Sequence, residues 1–283
     1  MLNLKIGFIG QGFIGKNYAD DFVNRGYEVI RYSLEPEYAA NREKISQCDL
    51  VFIAVPTPTK RAGFDDSYLQ AVLPLIGQGK SAIIKSTIIP GTCEKLQSLF
   101  PEIFVFHSPE FLTEKTAAFD AANPTRNIVG YPIDNEEYKM RAQIVLDVLP
   151  SAPVSFICCA KEAELIKYAS NCFLMTKVVY ANVLYDLAAR ENLDWSKIQA
   201  GMGSDPRIGM SHLNPIHQSG VNGKIGRGAG GHCFVKDFAA LRMYAEGRGL
   251  DNAGLEFLKA IENKNLELLR NSDKDLDILA DIY

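Results

Sequence analysis

What this 283-residue chain lacks narrows its function before any motif is read. Its six cysteines, at positions 48, 93, 158, 159, 172 and 233, form no C-x-x-C pair. That excludes a zinc ribbon and a small secreted disulfide framework. Its four histidines, at 107, 212, 217 and 232, lack the helical spacing of a metal site, so no metal is expected. The 30 basic residues are scattered among 34 acidic ones, for a net charge of -4. No dense basic run exists to hold a nucleic acid, and none is expected as a partner. No apolar stretch reads as a bilayer crossing, so no membrane partner is expected either. The chain enters a strand and a glycine turn at once rather than a leader, which makes a cytoplasmic protein the expectation.

What is present is ordinary for a globular protein: 47% hydrophobic and 23% charged residues, enough for two domains with a sizeable core. Short β-rich runs begin with "LKIGFIG" and "YEVIRYS" and continue through "CDLVFIAVP", "KSAIIKST", "IFVFHSP", "NIVGYP" and "APVSFICC". Helical patterns fit between most of them, at about 66–76, 92–99, 113–121 and 134–149. This alternation predicts an α/β domain over residues 1–158, a doubly wound Rossmann-type parallel sheet. From 159 to 283 the pattern turns helical. Residues 160–190 contain no glycine or proline, and apolar positions including Leu165, Ala169, Phe173, Val179, Val183 and Leu187 cover much of the helix circumference. Such a long central helix is expected to be covered on several sides, as at a domain or subunit interface, and a homodimer built on it is the expectation. A short helix near 194–201, a Gly/Pro/His-rich loop over 203–231 and helices near 234–247 and 252–270 follow; the acidic tail is expected to fray.

Gly10-Gln11-Gly12-Phe13-Ile14-Gly15 fits G-x-G-x-x-G between a strand and a helix. Gly10 permits the tight turn, Gly12 lets a pyrophosphate approach the backbone and Gly15 permits close helix-strand packing. The helix N-terminus supplies N–H donors to an anion. NAD is therefore the expected cofactor. At the end of the second strand, Ser33 stands where an acidic ribose ligand is usual. With Arg31 and Arg42 nearby, NADP stays an alternative; Glu35 or Glu37 supplying the acid after a local shift is another. "AVPTPT" and "KSTIIPGT" each follow a sheet strand, where ligands gather, which marks Pro56, Thr57, Thr59, Ser86 and Thr87 as cofactor candidates; plain turn chemistry explains them equally. In "SPEFLTE", Glu110 and Glu114 share a face if that segment is helical. Glu164, Lys167 and Asn171 follow i, i+3, i+7 spacing on the long helix; Lys167 is either a buried ammonium needing a partner or half of an exposed pair with Glu164. "GRGAGGHCFVKD" raises a sharper question: why a single cysteine follows so many glycines.

"VPTPT", "KSTIIPGT", "SPEFLTE", "ELIKYASN", "DPRIG" and "GGHCFVKD" occur in that order over nearly the whole chain. Together they resemble the UDP-glucose/GDP-mannose dehydrogenase family, whose members oxidise a nucleotide sugar at C6 to the uronate. The resemblance implies that Cys233 is the nucleophile. It implies that Lys167, Asn171 and Asp237 surround the reacting carbon, that Thr87 and Glu110 place a water, and that Glu114 lies beside the nicotinamide. Glu110, Phe111, Leu112, Gly228 and Gly230 become substrate contacts, and Arg207 reaches into the neighbouring subunit's site. A thiol suits this chemistry because an aldehyde captured as a thiohemiacetal can be oxidised again, to a thioester, without being released. The glycines would leave room for the sugar, and a helix starting near Phe234 would favour the thiolate.

The sequence also departs from the family pattern. It ends at Tyr283, so the family's further C-terminal nucleotide-binding domain is expected to be missing. The stretch between Ser33 and "CDLVFIAVP" is short, which predicts a trimmed adenosine side. "C-F-P-K-D" reads Cys-Phe-Val-Lys-Asp, and Ala229 replaces an aromatic residue. Two rival functions follow: a two-electron β-hydroxyacid dehydrogenase, which also carries Lys and Asn four apart on a long helix, and a non-catalytic nucleotide-binding subunit completed by a partner.

Overall fold

The computed structural model describes residues 4–219 and 223–283. In chain order the elements are β1 (Ile6–Ile9), α1 (Phe13–Asn24), β2 (Val29–Tyr32), α2 (Pro36–Ala39), β3 (Leu50–Ile53), β4 (Thr59–Lys60), β5 (Gly63–Phe64), α3 (Ser67–Val72), β6 (Ser81–Ile84), α4 (Thr92–Leu99), β7 (Phe104–His107), α5 (Ala117–Ala122), β8 (Arg126–Tyr131) and α6 (Glu136–Val148). They continue with β9 (Val154–Cys159), α7 (Ala160–Arg190), α8 (Trp195–Gly203), β10 (Ile216–Gln218), β11 (Ile225–Arg227), α9 (Gly231–Gly247), α10 (Asn252–Asn271) and α11 (Leu276–Ile282). The chain divides into two compact units, one of residues up to Pro58 with Asp65–Lys167, the other of Thr59–Phe64 with Tyr168–Tyr283. The division thus falls inside α7 rather than after residue 158, and the β4–β5 hairpin belongs to the second unit.

The first unit is a seven-stranded sheet in the order β2-β1-β3-β6-β7-β8-β9. Its first five strands in that order are parallel. β8 pairs antiparallel with β7, and β9 runs parallel to β8, so the sheet is mostly parallel. The strands β1, β3 and β6 are buried over their whole length, as parallel strands covered on both faces must be. Phe8 stacks on Phe52 with ring centroids 5.1 Å apart, and Phe22 of α1 meets Phe8 edge-on. β2 is the edge strand: the short stretch after Ser33 forms α2 and a 3-10 turn over Arg42–Gln47 and adds no strand beyond it.

The second unit is mainly helical. Cys172, Met175, Val178 and Val179 of α7 pack with Phe238 of α9 and Ile261 of α10. The acidic tail does not fray: α11 buries Ile278, Leu279 and Ile282 against Val235, Ala239, Leu266 and Leu269. Its polar residues fall on the outer face, so composition alone read as solvated while the helical spacing carried the core contact. The loop expected over 203–231 contains the β10–β11 hairpin, and residues 220–222 of it lie outside the described residues. By length and apolarity α7 would suffice to cross a membrane, contrary to the expectation from its sequence. It nevertheless buries Glu164, Lys167, Asn171 and Asn182, each with polar partners, which is the pattern of a core helix.

The glycine turn gives a stability test. Gly10 has φ +89°, and a Cβ there would lie 2.2 Å from the Ala54 carbonyl oxygen; a Cβ on Gly12 would meet nothing within 4 Å. Gly10→Ala is expected to cost about 2 kcal/mol or more in denaturant unfolding, while Gly12→Ala stays within ~0.5 kcal/mol of the unmodified chain. Equal losses in both variants would show that the turn is not folded this way.

Candidate active site

In the first unit, β1 ends at Ile9 and the chain turns through Gly10 into α1. The Gly10 N–H donates to the Tyr32 carbonyl at 2.8 Å, and the Ala54 N–H to Ile9 at 2.8 Å. Gly15 closes the turn against the Gly10 carbonyl, where a Cβ would come within 1.9 Å. Because β1 lies between β2 and β3, the turn opens at the place where strand order reverses, the usual ligand crevice of such sheets. Gly12 caps α1 without a side-chain acceptor, leaving the first-turn N–H groups to face outward. Gln11 is buried, and its Oε1 has no hydrogen-bond partner among the described residues. Open space at Gly12 and the unpaired N–H groups of the first helical turn fit a dinucleotide pyrophosphate. Phe13 is exposed and Ile14 half-buried beside it.

Two loops at the C-terminal ends of β3 and β6 are tied together. Thr57 Oγ1 donates to the Thr87 carbonyl at 2.8 Å, and Ser86 Oγ to the Val55 carbonyl at 2.7 Å. Thr57, Ser86 and Thr87 are buried and Pro56 is exposed, whereas Thr59 is buried in the second unit. Ser33 follows β2, half-buried, with its Oγ accepting the Glu35 N–H at 3.2 Å. Arg31 is already paired with Asp20 at 2.6 Å.

Glu110 and Lys167 form the charged centre of this unit. Lys167 Nζ donates to Glu110 Oε1 at 2.8 Å, and the Leu112 N–H donates to Oε2 at 2.7 Å. Both side chains are buried, and the Lys167 ammonium lies 5.5 Å from the Phe111 ring centroid. Glu114 is exposed, and residues 108–113 are irregular, so the shared helical face expected for Glu110 and Glu114 does not exist. The expected helix starts only at Ala117, beyond both carboxylates.

Two further titratable groups are buried in this unit. Lys85, the residue before Ser86, is buried, donates to Ser108 Oγ at 3.1 Å and lies 4.3 Å from the Tyr18 ring centroid. Burial pulls its ammonium down to about 7, with Glu110 opposing that and Lys167 reinforcing it. Glu164 is fully buried and does not pair with Lys167 as a surface pair would. It accepts the N–H groups of Gly91 at 2.6 Å and Cys93 at 2.8 Å, at the N-terminus of α4. Burial pushes its carboxyl up to about 8, against the pull of those two donors. Both residues stood inside motifs singled out in the sequence; their buried roles left no sequence signal beyond a charge on an apolar strand or helix.

In the second unit, Cys233 is exposed in the first turn of α9. Asp237 follows one turn later and is buried, so the two lie along one face. Asn171 Nδ2 donates to Asp237 Oδ2 at 2.6 Å, and Lys236 Nζ to Oδ1 at 2.6 Å. Arg207 is exposed and holds Asp205 bidentately, with its shortest contact 2.6 Å. The space beside Gly228 and Gly230 is filled by the protein itself: added Cβ atoms would lie 3.1 Å from Leu268 and Leu269 at the first, and 2.0 Å from Asp275 Oδ2 at the second.

A mostly parallel nucleotide-binding sheet, a buried Lys–Glu pair and a helical unit with an exposed thiol beside a buried carboxylate define a dinucleotide-dependent dehydrogenase architecture. Residues 36–145 match the NAD binding domain, and residues 161–267 the central domain, of the UDP-glucose/GDP-mannose dehydrogenase family. The chain belongs to that family, whose cofactor is NAD. The glycine turn precedes the first matched segment, so its assignment rests on the geometry above. UDP-glucose 6-dehydrogenase of Pseudomonas aeruginosa is 32% identical over 80% of this chain and 50% of its own length. That of Rickettsia typhi is 31% identical over 87% and 55%. The chain therefore spans about half the length of these curated relatives. The solved UDP-glucose dehydrogenase of Pyrobaculum islandicum superposes with a TM-score of 0.80 at 27% identity, covering 94% of this chain and 69% of that one. A 3-hydroxyisobutyrate dehydrogenase of Mycobacterium tuberculosis shares the fold at 17% identity, with a TM-score of 0.72 and 96% of each chain covered.

The raised carboxyl of Glu164 has a pH consequence. Between its ordinary value, 4.5, and about 8, the unfolded chain has released this proton and the folded one keeps it. Its contribution to stability is fully present below 4.5 and is lost as pH rises through about 8. Glu164→Gln is expected to remove that falling slope when urea unfolding is compared with the unmodified protein across pH 5 to 8. A constant difference across the range would mean that Glu164 is ionised in the folded state throughout.

Proposed function

We propose that this chain catalyses the NAD-dependent oxidation of a nucleotide sugar, UDP-glucose or a relative of it, at its C6 alcohol to the acid, through a covalent adduct on Cys233. The observation that carries the reading is an exposed thiol one helical turn from a buried carboxylate, in a chain that also buries a lysine on a glutamate. Asp237, with Lys167 acting through a water, takes the proton of the C6 hydroxyl. NAD, which the Gly10–Gly15 turn and the α1 N-terminus would hold, would supply the two-electron acceptor, one molecule for each of the two oxidations. The Cys233 sulfur adds to the aldehyde carbon, and Lys167 and Asn171, one turn apart on α7, hold the resulting oxyanion. After the second oxidation the carbon is a thioester. Glu110, aided by Thr87, orients the water that cleaves it and returns the thiol. Glu110 suits that task because its oxygens keep free lone pairs beyond the two donors they already accept.

The rival reading, a two-electron β-hydroxyacid oxidation, draws on the fold shared with 3-hydroxyisobutyrate dehydrogenase. It assigns no work to a thiol in the first turn of α9, and the family match opposes it. NAD rather than NADP is the proposed cofactor, because Arg31 is engaged by Asp20 and Glu35 and Glu37 lie just past Ser33.

The nucleophile is tested by Cys233→Ser. A serine hydroxyl without an activating base is a poor nucleophile at neutral pH, so turnover to the acid is expected to fall on the order of 10³-fold, about 4 kcal/mol, with NAD affinity unchanged. Mass spectrometry should find the substrate carbon on Cys233 in the unmodified enzyme. Full oxidation to the acid at the original rate by the serine variant would overturn the mechanism.

The same reading proposes a homodimer built on α7. Leu165, Phe173, Tyr180, Val183 and Leu187 recur every turn or two along one side of it and are about half exposed. A second copy would cover them and bring Arg207 to its partner's substrate. Sedimentation at micromolar concentration should give a dimer that Phe173→Asp converts to monomer; a monomer from the outset would remove both the interface and the role of Arg207.

A further inference from the structure

The segment in front of Cys233 has the composition of a flexible linker but not its bonding. Over residues 226–231 the backbone polar groups are taken up by side chains of α10 and of the turn that joins α10 to α11. The Arg227 N–H donates to Ser272 Oγ at 2.9 Å. Lys274 Nζ donates to the carbonyls of Gly228 at 2.9 Å, Gly226 at 3.4 Å and His217 at 3.0 Å. Asn265 receives the Ala229 N–H at 2.7 Å and returns a bond to the Ala229 carbonyl at 2.9 Å. Asp275 Oδ2 accepts the Gly231 N–H at 2.8 Å, at the first residue of α9. Lys274 and Asn265 are buried, so these bonds are made away from water.

The glycines make sense in the same terms. Gly228 and Gly231 have φ of +87° and +80°, which other residues rarely adopt. Gly230 has none of that strain, yet a Cβ on it would lie 2.0 Å from Asp275 Oδ2. Its missing side chain is the space through which the carboxylate reaches Gly231. Asp275 itself sits at φ +54°, in the left-handed region. The sugar-clearance role expected of Gly230 is thus replaced by a contact inside the protein.

From this juxtaposition we infer that the Ser272–Asp275 turn is a positioning device for Cys233: its side chains fix the glycine-rich strap and so set where α9 begins and where the thiol points. Lys274 and Asp275 touch no reacting atom. They act on Cys233 through the backbone of residues 226–231, two positions ahead of the thiol. The inference rests on the nucleophile reading only for its effect on turnover. Its structural content, the placement of one thiol by one turn, is independent of it.

The test compares Asp275→Gly, which keeps the left-handed backbone and removes the acceptor, with Asp275→Asn, which keeps both. Alkylation of each cysteine by iodoacetamide is followed by peptide mass spectrometry, alongside kcat and the KM for NAD. In Asp275→Gly, alkylation at Cys233 is expected to quicken at least fivefold while Cys158 and Cys159 react as before. The kcat should fall about tenfold with the KM for NAD unchanged, and Asp275→Asn should restore both to within twofold. Unchanged alkylation at Cys233, or a change shared by all the cysteines, would overturn the inference and leave the turn a merely structural support. If Asp275→Gly does not accumulate, hydrogen exchange in the unmodified protein decides: protected amides at Arg227, Ala229 and Gly231 support the strap, and rapid exchange at all three overturns it. Should Cys233→Ser prove fully active, the nucleophile reading falls, and the alkylation result still decides the positioning role.

Discussion

Within eight residues, helix α7 buries a carboxyl group, an ammonium and an amide, and it can do so only because each meets a partner fixed elsewhere. Glu164 takes the N-terminal N–H groups of α4, Lys167 takes Glu110, and Asn171 takes Asp237. A buried polar or charged group left unpaired costs far more than a pair gains, so these bonds act less as stabilisers than as constraints on where each element can lie. Glu164 and Lys167 together join α7 to two loops of the sheet unit, one entering α4 and one following β7. The same pairing delivers a lysine and a glutamate at a fixed separation in a dry setting, where a charge can be put to chemical use.

The features readable in the sequence were those fixed by local rules. The Gly10–Gly15 turn follows from steric demands of single positions, and the helices at 92–99 and 160–190 from spacing and the absence of breakers. Errors arose where burial, not local preference, decides. Glu110 and Glu114 are four apart, but four residues mean one face only in a helix, and Pro109 with the irregular run after it supplies none. Glu164 and Lys167 are three apart on a real helix, yet each turns to a different partner, because a buried polar group is claimed by the best donor or acceptor in reach and not by its nearest neighbour in sequence. The tail looked solvated because aspartates recur through it, while Ile278, Leu279 and Ile282 fall on one side of α11 and close a core.

The edge of the sheet follows a similar logic. The few residues between Ser33 and β3 are enough for α2 and a 3-10 turn but not for a further strand and its crossover. β2 is left as the edge, and the groups available to a ribose are those of Ser33, Glu35 and Glu37 on a short exposed segment. Arg31, which a reading by sequence distance alone leaves open for a 2′-phosphate, spends its charge on Asp20. An ion pair made by one side chain thus bears on cofactor choice more than the presence of that side chain does.

The glycine-rich strap before Cys233 shows the limit of composition as a guide. Glycine raises the freedom of the unfolded chain, but it also exposes every N–H and C=O of the backbone to whatever lies beside it. In water those groups are satisfied by solvent and the segment is loose. Packed against α10 and α11 they must find protein partners, and Asn265, Ser272, Lys274 and Asp275 provide them. Removing side chains from the strap is then what permits other side chains to reach its backbone. A cysteine placed two residues after such a segment inherits its fixity, so four glycines in twelve residues mark a rigid cradle. The sequence could not reveal this, because nothing in the strap names the side chains that bond its backbone, and those lie 36 to 48 positions away.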